Sequence, residues 1–79
     1  LQGCYTFIND LGAELTITFT RRNDSWNTTF QVPPAQSNRQ CFDPGRYTYT
    51  FDAPPPWDST NGELTVEAGV DLPYTIGAE

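Results

Sequence analysis

The side chains that could do chemistry in this sequence are carboxylates, serines and two cysteines, because it contains no His. Without His, both the usual general base and the commonest metal-ligating side chain are missing. An Asp–Glu pair can do acid–base work on a glycoside, but 79 residues are too few to build the cleft that this chemistry requires. No His is present to activate the serines, which are Ser25, Ser37 and Ser59. We therefore expect a protein without enzyme activity.

Aspartates near predicted turns are the candidate metal ligands: Asp43, Asp52, Asp58 and Asp71. The run 58–61 (DSTN) offers several oxygens, yet it lacks the D-x-[DN]-x-[DN]-G spacing of a calcium loop. Aspartates in turns ordinarily accept hydrogen bonds from their own backbone. The sequence therefore predicts no bound metal and no cofactor.

The charge balance excludes several partners. Four basic residues, all Arg, face ten acidic ones, which gives a net charge of −6. Nucleic acids and anionic lipid surfaces both require a cationic face, and no basic cluster is present. The apolar runs are only a few residues long, far short of a membrane span. We expect neither nucleic-acid binding nor membrane insertion.

Two cysteines and two glycosylation sequons indicate an exported protein. Cys4 and Cys41 are predicted to form a disulfide in an oxidising compartment; the alternative is two buried free thiols. Because the chain starts at Leu1 and contains no Met, we expect a processed chain that has lost a signal peptide, or an excised domain. The triplets that begin at Asn23 and Asn27 are candidate N-glycosylation sites in an exposed turn. The predicted location is extracellular or at the cell surface.

Apolar residues alternate with polar ones along most of the chain, which indicates strands rather than helices. Strands are predicted over seven segments: 4–9, 14–21, 26–32, 39–42, 46–51, 63–67 and 71–76. Asn61-Gly62 is expected to form a tight hairpin turn. Pro73 lies inside the last strand, which places that strand at a sheet edge. Seven short strands predict an all-β fold with a single domain over residues 1–79, either a two-sheet sandwich of antiparallel strands or a small barrel.

The predicted core consists of the inward-facing apolar side chains of these strands: Leu15, Ile17, Phe19, Phe30, Val32, Tyr47, Tyr49, Phe51, Leu64, Val66, Leu72, Tyr74 and Ile76. The pattern Pro44-Gly45-x-Tyr47-x-Tyr49 resembles a strand start found in many small immunoglobulin-like modules of secreted and surface proteins. That resemblance covers about a third of the chain. It implies an immunoglobulin-like sandwich and an exported location, but no activity.

Two features suggest that copies of the chain contact one another. The first strand is apolar on both faces, with Cys4 and Ile8 on one and Tyr5 and Phe7 on the other, so a neighbouring copy or a folded-over loop must cover one of them. The other feature is a row of outward-facing threonines on strands without any Lys, since Lys normally protects exposed sheets from pairing. The expected contact residues are Tyr5, Phe7, Thr16, Thr18, Thr20 and Pro73. The resulting hypothesis is a structural subunit of an extracellular filament, pilus-like fibre or surface layer.

Two other functions compete with this hypothesis. Trp26 and Trp57 could stack on sugar rings, as in a small carbohydrate-binding module, although indoles in so small a domain more often serve as core or cap. The proline-rich loop 54–57 could instead present a binding surface to a protein partner, as in a secreted adhesin or inhibitor domain.

Overall fold

A computed structural model describes residues 1–77 of the chain, and these form seven strands. The strands are β1 (Gly3–Asp10), β2 (Leu15–Arg21), β3 (Asn27–Val32), β4 (Ser37–Phe42), β5 (Gly45–Asp52), β6 (Thr60–Val66) and β7 (Asp71–Gly77). Within this range no helix has the length and apolar character needed to cross a bilayer. The predicted all-β fold of seven strands is confirmed.

The strands form two sheets, one of three strands in the order β4-β1-β7 and one of four in the order β3-β2-β5-β6. The expectation of purely antiparallel pairing is wrong at one place, because β1 and β7 are parallel. The strand order also differs from that of a constant-type immunoglobulin domain, in which the first two strands share a sheet. Here β1 and β2 lie in opposite sheets. The two-sheet sandwich is therefore confirmed, and its strand order is not that of a constant-type immunoglobulin domain.

The parallel pairing of β1 with β7 determines at which ends of the sandwich the first strand starts and the last strand ends. Four strands about 4.8 Å apart span roughly 14 Å and the two sheets lie about 10 Å apart, so the strand direction accounts for the 35 Å dimension of the molecule. Cys4 pairs with Asp71 and Asp10 with Gly77, so both strands start at the same end of the molecule. The start of β1 and the end of β7 consequently lie at opposite ends of the long axis.

One apolar face of β1 is buried between the two sheets, and the other is only partly buried on the outside of the sandwich. Tyr5 and Phe7 point between the sheets and are 6% and 0% exposed. They are therefore unavailable to a neighbouring copy, and their assignment as contact residues is corrected. Cys4 and Ile8 occupy the outer face and are half-buried. Alternation correctly predicts two faces, but it does not say which face is inward, because both carry large apolar groups.

The core lies between the sheets and is rich in aromatic rings. Phe7 is at its centre and lies edge-on to Phe19 at a centroid distance of 5.5 Å. The predicted inward set is at least partly buried except for Leu72, which is 49% exposed. Residues that the prediction missed are Tyr5, Phe7, Leu11 and Phe42.

A buried amide fixes the loop after β1. Asn9 is 1% exposed, and its Nδ2 donates to the carbonyl oxygens of Ala13 and Val32 at 2.8 Å each. Its Oδ1 accepts from the amide of Leu11 at 2.8 Å. Because every polar atom of this side chain has a partner, burying it carries no desolvation penalty from unmade hydrogen bonds. Asn9 thereby ties β1 to β3 across the sandwich.

The start of β5 contains the feature that the sequence pattern indicates. Tyr47 is fully buried, and its hydroxyl donates to the carbonyl oxygen of Asp43 at 2.8 Å. This bond from a strand-start tyrosine to the backbone a few residues upstream is the tyrosine corner of immunoglobulin-like sandwiches. It closes the turn at Pro44-Gly45, where Gly45 has φ of +154°.

Gly62 has a different role from the one predicted. It lies inside β6, opposite Tyr49, rather than in a hairpin turn. A Cβ at Gly62 would overlap the Tyr49 hydroxyl and ring, so only glycine allows that ring to lie across β6. In this fold Gly62 provides space for the Tyr49 side chain, and the Asn-Gly pair does not form a turn.

The predicted disulfide is present between Cys4 and Cys41. The two residues are direct cross-strand partners of β1 and β4, so the bond lies within one sheet and on its outer face. It ties the centre of the three-stranded sheet to one of its edges.

Removing this disulfide should cost much of the stability. With a sequence separation of 37 residues, loop-closure entropy gives about 4 kcal/mol, against a total of roughly 5 kcal/mol for a domain of this size. We expect a Cys4→Ala, Cys41→Ala double variant to unfold at a much lower urea concentration, as should the reduced wild-type chain. An unchanged unfolding midpoint in both would contradict this contribution.

Candidate functional site

The turn carboxylates make structural contacts. Asp71 forms an ion pair with Arg39 at 3.2 Å, and Asp52 accepts a hydrogen bond from the Ser59 hydroxyl at 2.9 Å. In the part of the chain described, no three His, Cys, Asp or Glu side chains are grouped so that they could hold a metal ion. Calcium ligation by the 58–61 run therefore finds no supporting geometry among residues 1–77.

Two depressions on the surface were considered as ligand sites, and neither has the shape and lining that small-molecule sites usually have. A shallow depression of about 400 Å³ is lined by Glu14 and Asp52 together with Thr16, Ala53, Pro54 and Pro55. It opens widely to solvent, and its lining contains two carboxylates but no Arg or Lys side chain. The other, at about 110 Å³, lies beneath Trp57 and is smaller than the sites that usually hold small molecules.

Arg21 connects two turns at one end of the sandwich. Its Nε and Nη2 each bond to the carboxylate of Asp24 at 2.9 Å, and its Nη1 reaches Asp43 at 3.2 Å. The hydrogen bonds from Arg21 hold the pKa of the Asp24 carboxyl below its usual range. A bidentate guanidinium is fixed in direction as well as position. This arrangement was not predicted, although an Arg followed three residues later by an Asp is a signal for it.

The exposed indole lies on this same end. Trp26 is 43% exposed, and the guanidinium carbon of Arg21 is 5.2 Å from the centre of its ring. Trp26 precedes β3 instead of starting it, so it does not pack on the core strands as expected. The amide of Trp26 donates to Asp24 at 3.1 Å, which holds the turn rigid. One ring face is thus occupied by the cation.

Trp57 lies at the opposite end of the molecule. It is half-buried, packs against the core and lies next to Gly12, 3.9 Å from where a Cβ of that glycine would be. It covers the end of the sandwich, as the alternative of a capping indole predicts. The loop that carries it connects β5 and β6, whereas Trp26 follows β2, so the two indoles cannot contact one short sugar chain.

Both sequon asparagines are exposed. Asn23 lies in the turn after β2, and Asn27 is the first residue of β3. The side-chain nitrogen of Asn27 donates to the carbonyl oxygen of Ser25 at 3.4 Å. Their accessibility is compatible with modification, which stays a prediction.

The predicted threonine surface lies on the outside of the four-stranded sheet. Thr18 is opposite Thr29 on one side and Thr50 on the other, so a row of hydroxyls crosses three strands. Thr18 and Thr29 share a hydrogen bond of 3.2 Å, and Thr50 donates to Asn61 at 3.1 Å. Thr16 and Thr20 lie above and below this row, where Thr16 has Asp52 as one cross-strand neighbour. We call this surface the threonine face.

The sandwich is closed along one long side and open along the other. On the closed side, Asn38 of β4 donates to the carbonyl of Gln31 in β3 at 3.1 Å. On the other side the three-stranded sheet ends at β7 while the four-stranded sheet ends at β6. None of the inward side chains along this side is fully buried: Leu64, Leu72, Tyr74 and Ile76. We call these four residues the open side.

A pair of tyrosines lies next to the open side. The hydroxyls of Tyr49 and Tyr74 are 3.4 Å apart, and the Tyr74 ring meets Phe51 edge-on at 5.6 Å. The hydrogen bond with Tyr49, together with partial burial, raises the pKa of Tyr74 to about 12. The neutral hydroxyl is therefore favoured in the folded chain.

This pairing predicts a loss of stability at alkaline pH. The unfolded chain releases the Tyr74 proton near pH 10, whereas the folded chain keeps it until about pH 12, so the contribution is present below pH 10 and is lost between these values. In a spectrophotometric titration of tyrosinate we expect the absorbance change near pH 12 to be smaller by one group in Tyr74→Phe. In Tyr49→Phe the Tyr74 group should titrate at lower pH, because its hydrogen-bond partner is absent. A late group that persists unchanged in both variants would contradict the assignment.

Comparison with known proteins adds no activity or ligand to this geometry. No family model, no curated protein and no solved structure matches the chain. A functional proposal accordingly depends on the contacts, burial and charges described above.

Proposed function

We propose that this chain is a non-enzymatic structural module of an extracellular fibre or surface layer, and that it assembles with other copies of itself. The observation that carries the proposal is the parallel pairing of β1 with β7 along the 35 Å axis. When the first and last strands of a module are parallel, the start of the first strand and the end of the last one lie at opposite ends of the module. That property suits a fibre, because consecutive units extend its length instead of folding back.

The chemistry of the side chains supports a structural role. Arg21, Arg22 and Arg39 each pair with a carboxylate, so most of the few cations are committed to holding turns and strands together. The disulfide suits an oxidising location, which together with the sandwich architecture agrees with an extracellular module of the broad immunoglobulin-like kind.

The open side is the surface that we assign to contact with a second copy. Leu72 is 49% exposed at the edge of a three-stranded sheet that faces a four-stranded one. A neighbour would cover the overhanging inner face of β6 and the apolar row beside it. Pro73 lies on the free edge of β7, where it removes one backbone donor, so side-chain packing rather than continuous strand pairing would dominate the contact. The threonine face is the other surface that a copy could cover, because it is flat and uncharged along its central row.

The carbohydrate and loop-presentation hypotheses have weaker support. Trp57 is half-buried as a cap, and Trp26 has one ring face against Arg21. The loop 54–57 is likewise anchored by that cap, which leaves its prolines as the exposed part.

Sedimentation across a range of concentrations tests the proposal. We expect reversible self-association of the wild-type chain, weakened in Leu72→Thr because a polar side chain replaces the exposed apolar one. Leu1→Thr is the matched control, since it makes the same change at a residue that is 94% exposed and is not one of the four residues of the open side.

A third variant, Thr18→Lys, places a charge at the centre of the threonine face. If it alone prevents association, the contact is face-to-face and the open side is not used. A wild-type chain that stays monomeric at every concentration, by sedimentation and by negative-stain microscopy, would overturn the proposal.

A further inference from the structure

We infer that the β1–β7 ladder is a mechanical clamp that resists tension along the long axis, and that the Cys4–Cys41 disulfide limits extension after the clamp opens. This inference rests on the proposed role in a fibre, where a pulling force carried by the chain would act on the two ends of the module. The strand register and the disulfide that support it lie within a single copy of the chain.

The direction of the load follows from the strand register. Cys4 to Asp10 pair in parallel with Asp71 to Gly77. Tension applied before Gly3 and after Gly77 pulls the two strands in opposite directions along their common ladder. The backbone hydrogen bonds between them are then loaded together and must break together. A pull at right angles would instead break them one after another, at a lower force.

The backbone groups of β7 divide between the ladder and the free edge. The amide of Cys4 donates to the carbonyl of Val70 at 2.8 Å. Because N–H and C=O groups of successive residues in a strand point to alternate sides, those of Leu72, Tyr74 and Ile76 face β1. Those of Asp71, Pro73 and Thr75 face the free edge. Pro73 therefore removes no hydrogen bond from the clamp, which explains how a proline is tolerated in a load-bearing strand.

No second ladder shares the load on β7. Among residues 1–77, β7 pairs in its sheet with β1 alone. On its other side β1 is held to β4 by an antiparallel ladder and by the disulfide. The weakest connection along the axis is consequently the β1–β7 ladder, and its rupture frees β7 while β1 stays attached to β4.

The disulfide then sets how far the chain can extend. Force that peels the chain back from Gly77 reaches Cys41, which is covalently joined to Cys4. The segment between these cysteines cannot be pulled out. In the reduced chain the sequence separation of 37 residues is added to the extensible length, about 130 Å at roughly 3.6 Å per residue.

Single-molecule force spectroscopy on the full chain tests both parts. Tethers at the two termini load the clamp in shear, whereas tethers at the N-terminus and at Ala68, an exposed residue in the turn before β7, peel β7 from β1. Forced unfolding reports the unfolding rate along the pulled direction. We expect a severalfold higher rupture force with terminal tethers, and a contour-length gain that grows by about 130 Å on reduction.

Two proline variants give a matched comparison. Leu72→Pro removes an amide that faces β1 and should lower the terminal-tether force. Thr75→Pro removes an amide that faces the free edge and should leave that force close to the wild-type value. If Leu72→Pro does not fold, the two tether geometries on the otherwise unchanged chain still decide the matter.

Equal rupture forces in the two geometries would overturn the clamp, and an unchanged contour length on reduction would overturn the limit on extension. These outcomes are independent of self-association. A clamp in a chain that sediments as a monomer removes the fibre proposal alone, whereas equal forces in a chain that associates remove the clamp alone.

Discussion

The structure depends on the position of β1 at the centre of the three-stranded sheet. This strand is bonded on both edges, to β4 and to β7, and its inner face supplies Tyr5 and Phe7 to the core. Its outer face carries one half of the disulfide. Asn9 at its end reaches across to β3. A small domain has little apolar area to bury, so one strand that combines ladder, core and covalent contacts stabilises much of the molecule.

The sequence predicts local features of this fold well, since they depend on neighbouring residues. Alternation along Leu15, Ile17 and Phe19 gives the direction of β2, and Pro73 correctly places its strand at an edge. The strand start after Pro44-Gly45 also follows from the local pattern, whereas the hydrogen bond of the Tyr47 hydroxyl to Asp43 was not predicted. Pairing between the first and last strands has no comparable local signal, because contacts between residues so far apart leave no periodicity in either segment.

The wrong predictions concern residues whose side chains suit two different environments in a folded protein. Tyr5 and Phe7 suit a core and an interface equally, and the choice between them depends on where the four-stranded sheet packs, since its Phe19 and Phe51 rings contact Phe7. Asn61-Gly62 suits a hairpin turn by composition, but the ring of Tyr49 needs the space above Gly62. Trp26 was expected to start β3, yet it precedes that strand and lies against the guanidinium of Arg21, which the bidentate bond to Asp24 holds in place. In the first two cases a tertiary contact outweighs the local preference, and in the third a contact within one turn does.

The candidate sites show the same division between local and long-range information. The threonine face and the disulfide can be read from the sequence, whereas the open side exists only because three strands are packed on four. Of the candidate metal-ligating carboxylates, Asp43 and Asp71 pair with arginines and Asp52 accepts a hydrogen bond from Ser59. The long axis, the disulfide and the uncovered side are the features that support the proposed structural role.

Amide hydrogen exchange measured by NMR on the dilute monomer tests the central claim most directly. If β7 pairs in parallel with β1 in this register, the amides of Leu72, Tyr74 and Ile76 should exchange slowly, and those of Asp71 and Thr75 should exchange rapidly from the free edge. Equal exchange rates in the two groups, or slow exchange confined to Asp71 and Thr75, would contradict the account.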